Sequence, residues 1–236
     1  MTDAAYPGIF VTGTDTEIGK TVCSCLLIEA LQQRGLRVAG MKPVASGGQY
    51  RQGQLVNDDA LQLQQQSGLN QGYELVNPYV FELPVAPHLA ARQVGVIIRP
   101  EPIQQAFTRL KTDADQIVVE GVGGWRVPLN AQETLADVAR LLALPVVLVV
   151  GLRLGCLNHA LLSVAAIRAD GLELAGWVAN PIDPGMPRRE ENIAALEARI
   201  GAPLLARLPH CRHPDEPRRA REAAAVLRRI TAFTYD

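Results

Sequence analysis

Gly8-Ile-Phe-Val-Thr-Gly-Thr-Asp-Thr-Glu-Ile-Gly-Lys-Thr21 is the stretch that decides how this chain is read. Gly8 to Val11 is a short apolar run suited to a buried strand, and Lys20 to Arg34 carries apolar residues at helical spacing. Between them lies Gly13-Thr14-Asp15-Thr16-Glu17-Ile18-Gly19-Lys20-Thr21. A strand, a glycine turn and a helix opening on Gly-Lys-Thr is the setting of a phosphate-binding loop. Backbone N–H groups of the turn and the helix start converge on a polyphosphate, where the helix dipole favours an anion. Lys20 would carry a mobile positive charge to the outer phosphates, and the Thr21 hydroxyl would offer a hard oxygen to Mg²⁺. The common loop has four residues between its first glycine and the Gly-Lys pair. Here Thr14 holds that first position and Gly13 stands one place earlier, so the loop is a variant. The competing reading is a plain strand–turn–helix junction with Gly19 in the turn.

Outward from this loop, apolar runs alternate with helical patterns. Arg37 to Met41, Ile117 to Val119, Pro145 to Val150, Leu174 to Val178 and Leu204 to Leu208 read as strands. Pro102 to Leu110, Leu135 to Leu142, Leu157 to Ala169 and Arg188 to Arg199 read as helices. This alternation predicts an α/β chain, a mostly parallel, doubly wound sheet flanked by helices. The whole chain, 1–236, is expected to be a single P-loop NTPase domain. Ser46 to Asn57, rich in Gly and Gln, is expected to be a mobile loop at a strand end, either covering substrate or without a role. The Arg-rich tail from Pro214 to Arg229 is expected to be a solvated helix.

Other candidates gather around phosphate chemistry. Gln116 to Glu120 is an apolar strand ending in a carboxylate, followed by Gly121-Val122-Gly123-Gly124. Ligands collect at the carboxyl ends of strands in doubly wound sheets, so Glu120 could face the loop as a metal ligand; a cap or surface role is the alternative. Asp58 and Asp59 open a helical pattern, where the dipole alone explains carboxylates. Lys42 closes a strand before Pro43, Val44 and Ser46, which leaves an active-site cation or a surface lysine open. Cys23 and Cys25 fall on the first turns of the loop helix and read as packing residues. His210, Cys211 and His213 could form a short metal cluster but supply no closed shell.

Composition bounds the function classes. Hydrophobic residues make up 48% of the 236 and charged residues 20%, which excludes a largely disordered chain. Lys+Arg 23 against Asp+Glu 24 gives a net charge of −1, so no electrostatic case for nucleic acid exists. The run from Leu141 to Leu152 is broken by Pro145 and too short for a bilayer, so no membrane partner is expected. Without a signal-peptide pattern, and with 4 irregularly spaced cysteines, the expected setting is the cytoplasm.

Read in order, these segments resemble the dethiobiotin synthetase family, ATP-dependent carboxylases that close a ureido ring. The resemblance runs from Phe10 to about His210. It is carried by Val-Thr-Gly-Thr-Asp-Thr-Glu-Ile-Gly-Lys-Thr (11–21), Lys-Pro-Val-Ala-Ser-Gly (42–47), Asn-Pro-Tyr (77–79) and Pro-His (87–88). Val-Glu-Gly-Val-Gly-Gly-Trp (119–125), Leu-Gly-Cys-Leu-Asn-His-Ala (154–160) and Gly-Trp-Val-Ala-Asn (176–180) continue it. The variant glycine spacing is itself similar to the family's loop.

The resemblance implies roles for the matching positions. Glu17, Ile18, Gly19, Lys20 and Thr21 would bind the ATP phosphates, with Gly121, Val122 and Gly123 alongside. Thr21, Asp59 and Glu120 would surround Mg²⁺. Asn180 and Pro181 would meet the adenine, and Leu208, Pro209, His210 and Glu216 would line the base pocket. Thr14, Ser46 and Lys42 would face 7,8-diaminononanoate, with Lys42 and Lys20 catalytic. Gly155, Cys156, Leu157 and Asn158 would receive the substrate carboxylate from a neighbouring subunit, which implies a homodimer with shared active sites. CO₂ or bicarbonate would be the carbon source. The sequence departs from the family's usual one between Cys211 and Pro217.

Three rival readings fit the sequence less well. A partition or positioning ATPase of the same superfamily usually carries an extra lysine early in the loop, whereas Thr14 to Ile18 contains none. A cobyrinic-acid-type amidotransferase needs a glutaminase domain for which no residues remain. An inert scaffold has no need of Lys20, Thr21, Lys42, Asp59 and Glu120 together.

Overall fold

The structure is a computed structural model that describes residues 6–210. In chain order its elements begin β1 (Gly8–Gly13), α1 (Lys20–Gln32), β2 (Val38–Met41), β3 (Val44–Ser46), β4 (Gln49–Arg51), β5 (Gln54–Val56) and α2 (Asp58–Ser67). They continue with α3 (Tyr73–Val76), β6 (Tyr79–Phe81), α4 (Pro87–Gln93), α5 (Pro100–Leu110), β7 (Gln116–Glu120) and α6 (Leu135–Leu142). The last are β8 (Val146–Leu152), α7 (Cys156–Ala169), β9 (Leu174–Pro181), α8 (Arg189–Ile200) and β10 (Leu204–Arg207).

Six strands form one parallel sheet in the order β10-β9-β8-β1-β7-β2. β1 lies between β7 and β8, while α1 carries the chain past β7 to β2. The turn after β1 therefore opens where the strand succession divides, the place where such sheets bind ligands. Both faces of the sheet are covered, and the side-chain alternation of the strands sorts the core accordingly. Ile9, Val11, Val118, Val147 and Val149 pack with Cys23, Leu27 and Leu31 of α1. Phe10, Val119, Leu148 and Val150 pack on the other face with Ile103, Leu135 and Ala160. Burying one such aliphatic side chain contributes about 1.5–3 kcal/mol, which holds these central strands in place.

The expected strands and helices are found, with small shifts at their ends. Ser46 to Asn57 is the exception. Instead of a loop it contains an antiparallel hairpin in which Gln49 pairs with Val56 and Arg51 with Gln54. Gln52 and Gly53 both have positive φ, 51° and 82°, the geometry of a tight hairpin turn. β3 and β6 pair in parallel as a second small sheet, which the sequence pattern does not predict. The tail from Pro214 to Arg229, Cys211, His213 and Glu216 lie outside the described residues.

α6 follows the Gly121–Gly124 segment and is fastened at its start. The Asp137 carboxylate accepts from the Thr134 N–H at 2.8 Å and from its hydroxyl at 2.9 Å. Burial pushes the Asp137 carboxyl up, but these bonds hold it net below the usual carboxylate range. Its contribution to stability is therefore complete above that range and is lost as pH falls through the lowered value. Thr134→Ala should cost about 0.5–2 kcal/mol in urea unfolding at neutral pH, and an unchanged midpoint would count against the cap.

Candidate active site

Four segments that are far apart in sequence bring their polar side chains to one place at the ends of β1, β2 and β7. Lys20 and Thr21 open α1, Lys42 follows β2, Asp59 stands in the first turn of α2, and Glu120 ends β7. Asn57 caps α2, its side-chain oxygen accepting from the N–H groups of Asp59 at 3.1 Å and Ala60 at 3.3 Å. That cap fixes where Asp59 projects.

Lys42 is the hub. Its Nζ donates to Asp59 Oδ2 at 3.0 Å, to Glu120 Oε1 at 2.5 Å and to the Gly121 carbonyl at 3.3 Å. Its side chain is 4% exposed and that of Glu120 0%, so this is a buried ion pair, not a surface one. Burial alone would lower the Lys42 pKa, but the charges of Glu120 and Asp59 outweigh it and hold the ammonium above its ordinary value. Burial likewise pushes Asp59 up, yet Lys42, aided by Thr21, brings it below the usual range.

The Thr21 hydroxyl donates to Glu120 Oε1 at 3.0 Å, and Glu120 Oε2 is buried without a partner among the described residues. A buried carboxylate oxygen left unpaired calls for a counter-group. The oxygens of Thr21, Asp59 and Glu120 are the hard donors that a small divalent cation selects.

Lys20 differs from Lys42. Its Nζ donates to the Asp15 carbonyl at 2.7 Å, and no carboxylate forms an ion pair with it among the described residues. Burial, then the like charge of Lys42, brings it down to about 8 against the pull of Glu120, Asp59 and Asp15. The Asp15 carboxylate meets the Arg153 guanidinium, so the turn is tied to the chain just before α7.

Asn180, at the end of β9, donates to the Ile18 carbonyl at 2.7 Å, and its own Oδ1 is buried without a partner among the described residues. Gly19 beside it has φ 86°, and a Cβ there would lie 2.3 Å from the Asn180 amide. Gly19→Ala is thus strained in backbone and in space. It should lose about 1–3 kcal/mol of stability and weaken nucleotide binding, measured by thermal unfolding and nucleotide titration. Unaltered melting and affinity would contradict this account.

Gly123, with φ 60°, stands against Thr16, and Gly124 against the Gly13 carbonyl, so the two glycine turns lie side by side. Pro181 offers its carbonyl to His210 Nδ1 at 2.9 Å, and Leu208 is buried beside them, with Pro209 exposed. Thr14 uses its hydroxyl to accept from the Gly151 N–H at 3.3 Å. Gly155 to Asn158 form the start of α7 and make no hydrogen bond to the Lys42 cluster among the described residues. Cys156 is buried in the core, so only its backbone could face a ligand.

Asn77 also belongs to this neighbourhood. Asn77 is 2% exposed, donates to the Lys42 carbonyl at 2.6 Å and to the Tyr79 carbonyl at 3.1 Å, and accepts from the Tyr73 hydroxyl at 2.8 Å. It pins the backbone that carries Lys42. Asn-Pro in sequence reads only as a turn, so the motif was visible and its task was not.

A family model described as an AAA domain matches residues 7–218. The ATP-dependent dethiobiotin synthetase BioD of Aromatoleum aromaticum is 53% identical over 219 residues, covering 93% of this chain and 96% of the relative. The chain belongs to the dethiobiotin synthetase family. BioD of Xylella fastidiosa agrees, at 55% identity over 201 residues, 85% of this chain and 89% of the relative. Among solved structures, MinD of Aquifex aeolicus aligns with TM-score 0.58 at 16% identity, over 97% of this chain and 98% of its own. A ParA family ATPase of Chlorobium tepidum TLS aligns with TM-score 0.52 at 14% identity, over 95% of this chain and 91% of its own. These two share the fold with the synthetase family, and the likeness extends no further.

Proposed function

We propose that this chain converts 7,8-diaminononanoate, CO₂ and ATP into dethiobiotin, ADP and phosphate. The observation that carries the reading is the convergence of Lys20, Thr21, Lys42, Asp59 and Glu120 on one buried corner, in a member of this family. One substrate amine, having lost a proton, attacks CO₂ and becomes a carbamate. A carbamate oxygen takes the γ-phosphoryl group of ATP, leaving a carbamic–phosphoric mixed anhydride and ADP. The second amine attacks the carbonyl carbon of the same molecule, phosphate leaves with the C–O bonding pair, a proton goes to solvent and the ring closes. Holding both amines in one site makes closure effectively unimolecular.

Phosphoryl transfer requires positioning and charge neutralisation more than covalent help from the protein. Lys20 serves the outer phosphates, and Lys42 stands where negative charge gathers on the carbamate. Thr21, Asp59 and Glu120 would hold Mg²⁺, which when bound supplies further neutralisation of phosphate charge. Asn180, Pro181 and Leu208 to His210 line the base end, and Thr14 and Ser46 face the diamine. The start of α7, a helix N-terminus that attracts an anion, receives the substrate carboxylate across a homodimer interface. The chain acts as one domain in the cytoplasm, where free thiols such as Cys23, Cys25 and Cys156 persist.

Incubation with diaminononanoate, bicarbonate and MgATP, followed by mass spectrometry, tests the reading. The expected product has the mass of the diamine plus one carbonyl minus two hydrogens. Absence of that product while ATP binds would overturn it.

A further inference from the structure

A circuit of hydrogen bonds begins and ends on Lys42. The Asn57 backbone N–H donates to the Tyr73 hydroxyl at 2.7 Å, and that hydroxyl donates to Asn77 Oδ1 at 2.8 Å. Asn77 Nδ2 in turn donates to the Lys42 carbonyl at 2.6 Å. On the other side, Asn57 Oδ1 accepts from the Asp59 N–H at 3.1 Å, and Asp59 Oδ2 accepts from Lys42 Nζ at 3.0 Å. One arm therefore holds the backbone of Lys42, and the other holds its ammonium. Tyr73 is the joint between them. A backbone N–H can only donate, so the phenol oxygen accepts from Asn57 and its single hydrogen goes to Asn77. That bond decides which way the Asn77 amide faces, with Oδ1 toward Tyr73 and Nδ2 toward the Lys42 and Tyr79 carbonyls. Turned over, the amide would set its oxygen against those carbonyl oxygens. Tyr73 is 9% exposed and Asn77 2%, so bulk water does not replace a lost partner. Burial pushes the Tyr73 phenol up against the opposing pull of the Asn57 N–H, so it keeps the hydrogen it donates.

We propose that Tyr73 is a positioning residue, whose hydroxyl joins the helix start presenting Asp59 to the backbone carrying Lys42. It acts through those two side chains and not on the substrate itself. The same joint reaches the substrate side of the site, because Asn57 Nδ2 also donates to the Ser46 carbonyl at 3.4 Å. Resting on the functional reading above, turnover depends on where the Lys42 ammonium stands, and a misplacement of about 1 Å can cost about 10²-fold.

Full-length Tyr73→Phe removes the hydroxyl and keeps the ring among Val56, Ala60 and Val76, so the fold should survive. Its kcat should fall about 10-fold or more, the scale of losing a group that orients a functional side chain. KM for ATP should stay within about threefold, since the hydroxyl makes no contact with the phosphate loop. Asn77→Ala cuts the next link of the same line. The double variant should therefore be slower than the slower single one by less than about twofold, whereas independent damage would multiply the losses. A second readout needs no turnover. Lys20, Lys42 and Lys111 are all the lysines of the sequence, so lysine isotope-labelled at Cε gives each its own NMR signal. The Lys42 signal should shift in Tyr73→Phe, and that of exposed Lys111 should not. In the unaltered protein the Asn57 backbone amide should exchange its hydrogen slowly, and rapid exchange overturns the proposal without any variant. Unchanged kcat in Tyr73→Phe, a parallel rise in KM for ATP, multiplied losses in the double variant, or an unmoved Lys42 signal also overturns it. No product from the unaltered protein defeats the functional reading, and the Lys42 signal then still decides whether Tyr73 holds that lysine.

Discussion

Alanine in place of Lys20 is expected to lower turnover by about 10²-fold or more, the loss that would follow from deleting one strong electrostatic donor at a developing charge. The side chain is 6% exposed, and its ammonium is held by the Asp15 carbonyl with no carboxylate paired to it among the described residues. Its removal therefore strands no buried anion, and it relieves the like charge that Lys42 places nearby. Folding should survive: the melting temperature should move little while KM for ATP rises and kcat falls. Steady-state kinetics beside a thermal melt separate the two effects. Near-normal turnover in this variant would remove Lys20 from the phosphate site, and with it the central role given to the loop after β1.

How much of this was legible in the sequence depended on how local each signal is. The strand–turn–helix at Gly8 to Gln32 was readable because β1, β7 and β8 are buried on both faces and so appear as near-continuous apolar runs. Glu120 could be suspected because it ends such a run before glycines. That it is fully buried and touches both Thr21 and Lys42 is long-range information, spread over 99 and 78 residues of separation. No local pattern holds it, and only the resemblance to a family connected those positions beforehand. The hairpin at Gln49–Val56 went unseen because its turn is Gln52-Gly53, whereas Asn-Gly or Asp-Gly is the usual marker of two positive φ angles. Its strands are also three residues each and largely exposed, so they carry no apolar alternation. Asn77 was quoted as part of a motif, yet its task is to bond one backbone carbonyl 35 residues away.

Lys42→Met has a different profile from Lys20→Ala, because these two cations are bound differently. Methionine keeps an unbranched apolar stem as far as Cε and removes the charged Nζ. Glu120, 0% exposed, is then left with Thr21 as its remaining side-chain partner among the described residues. Breaking a buried pair by deleting one member costs about 3–5 kcal/mol, since the other charge stays desolvated. The variant should therefore melt well below the unaltered protein in the absence of ligands. The oxygens of Thr21, Asp59 and Glu120 suit a hard cation, so added MgATP should return more stability to Lys42→Met than it adds to the unaltered chain. Chemistry should not return with it. Single-turnover ring closure should remain slower by about 10²-fold or more, because the cation proposed to face the carbamate is gone. Nucleotide affinity, proposed to rest on the loop after β1 and on Lys20, should change far less than the rate. Were affinity for ATP to collapse while single-turnover closure stayed fast, Lys42 would belong to the nucleotide and not to the reacting carbamate. Equal stabilisation of both proteins by MgATP would instead show that Glu120 and Asp59 do not exchange their ammonium partner for a metal.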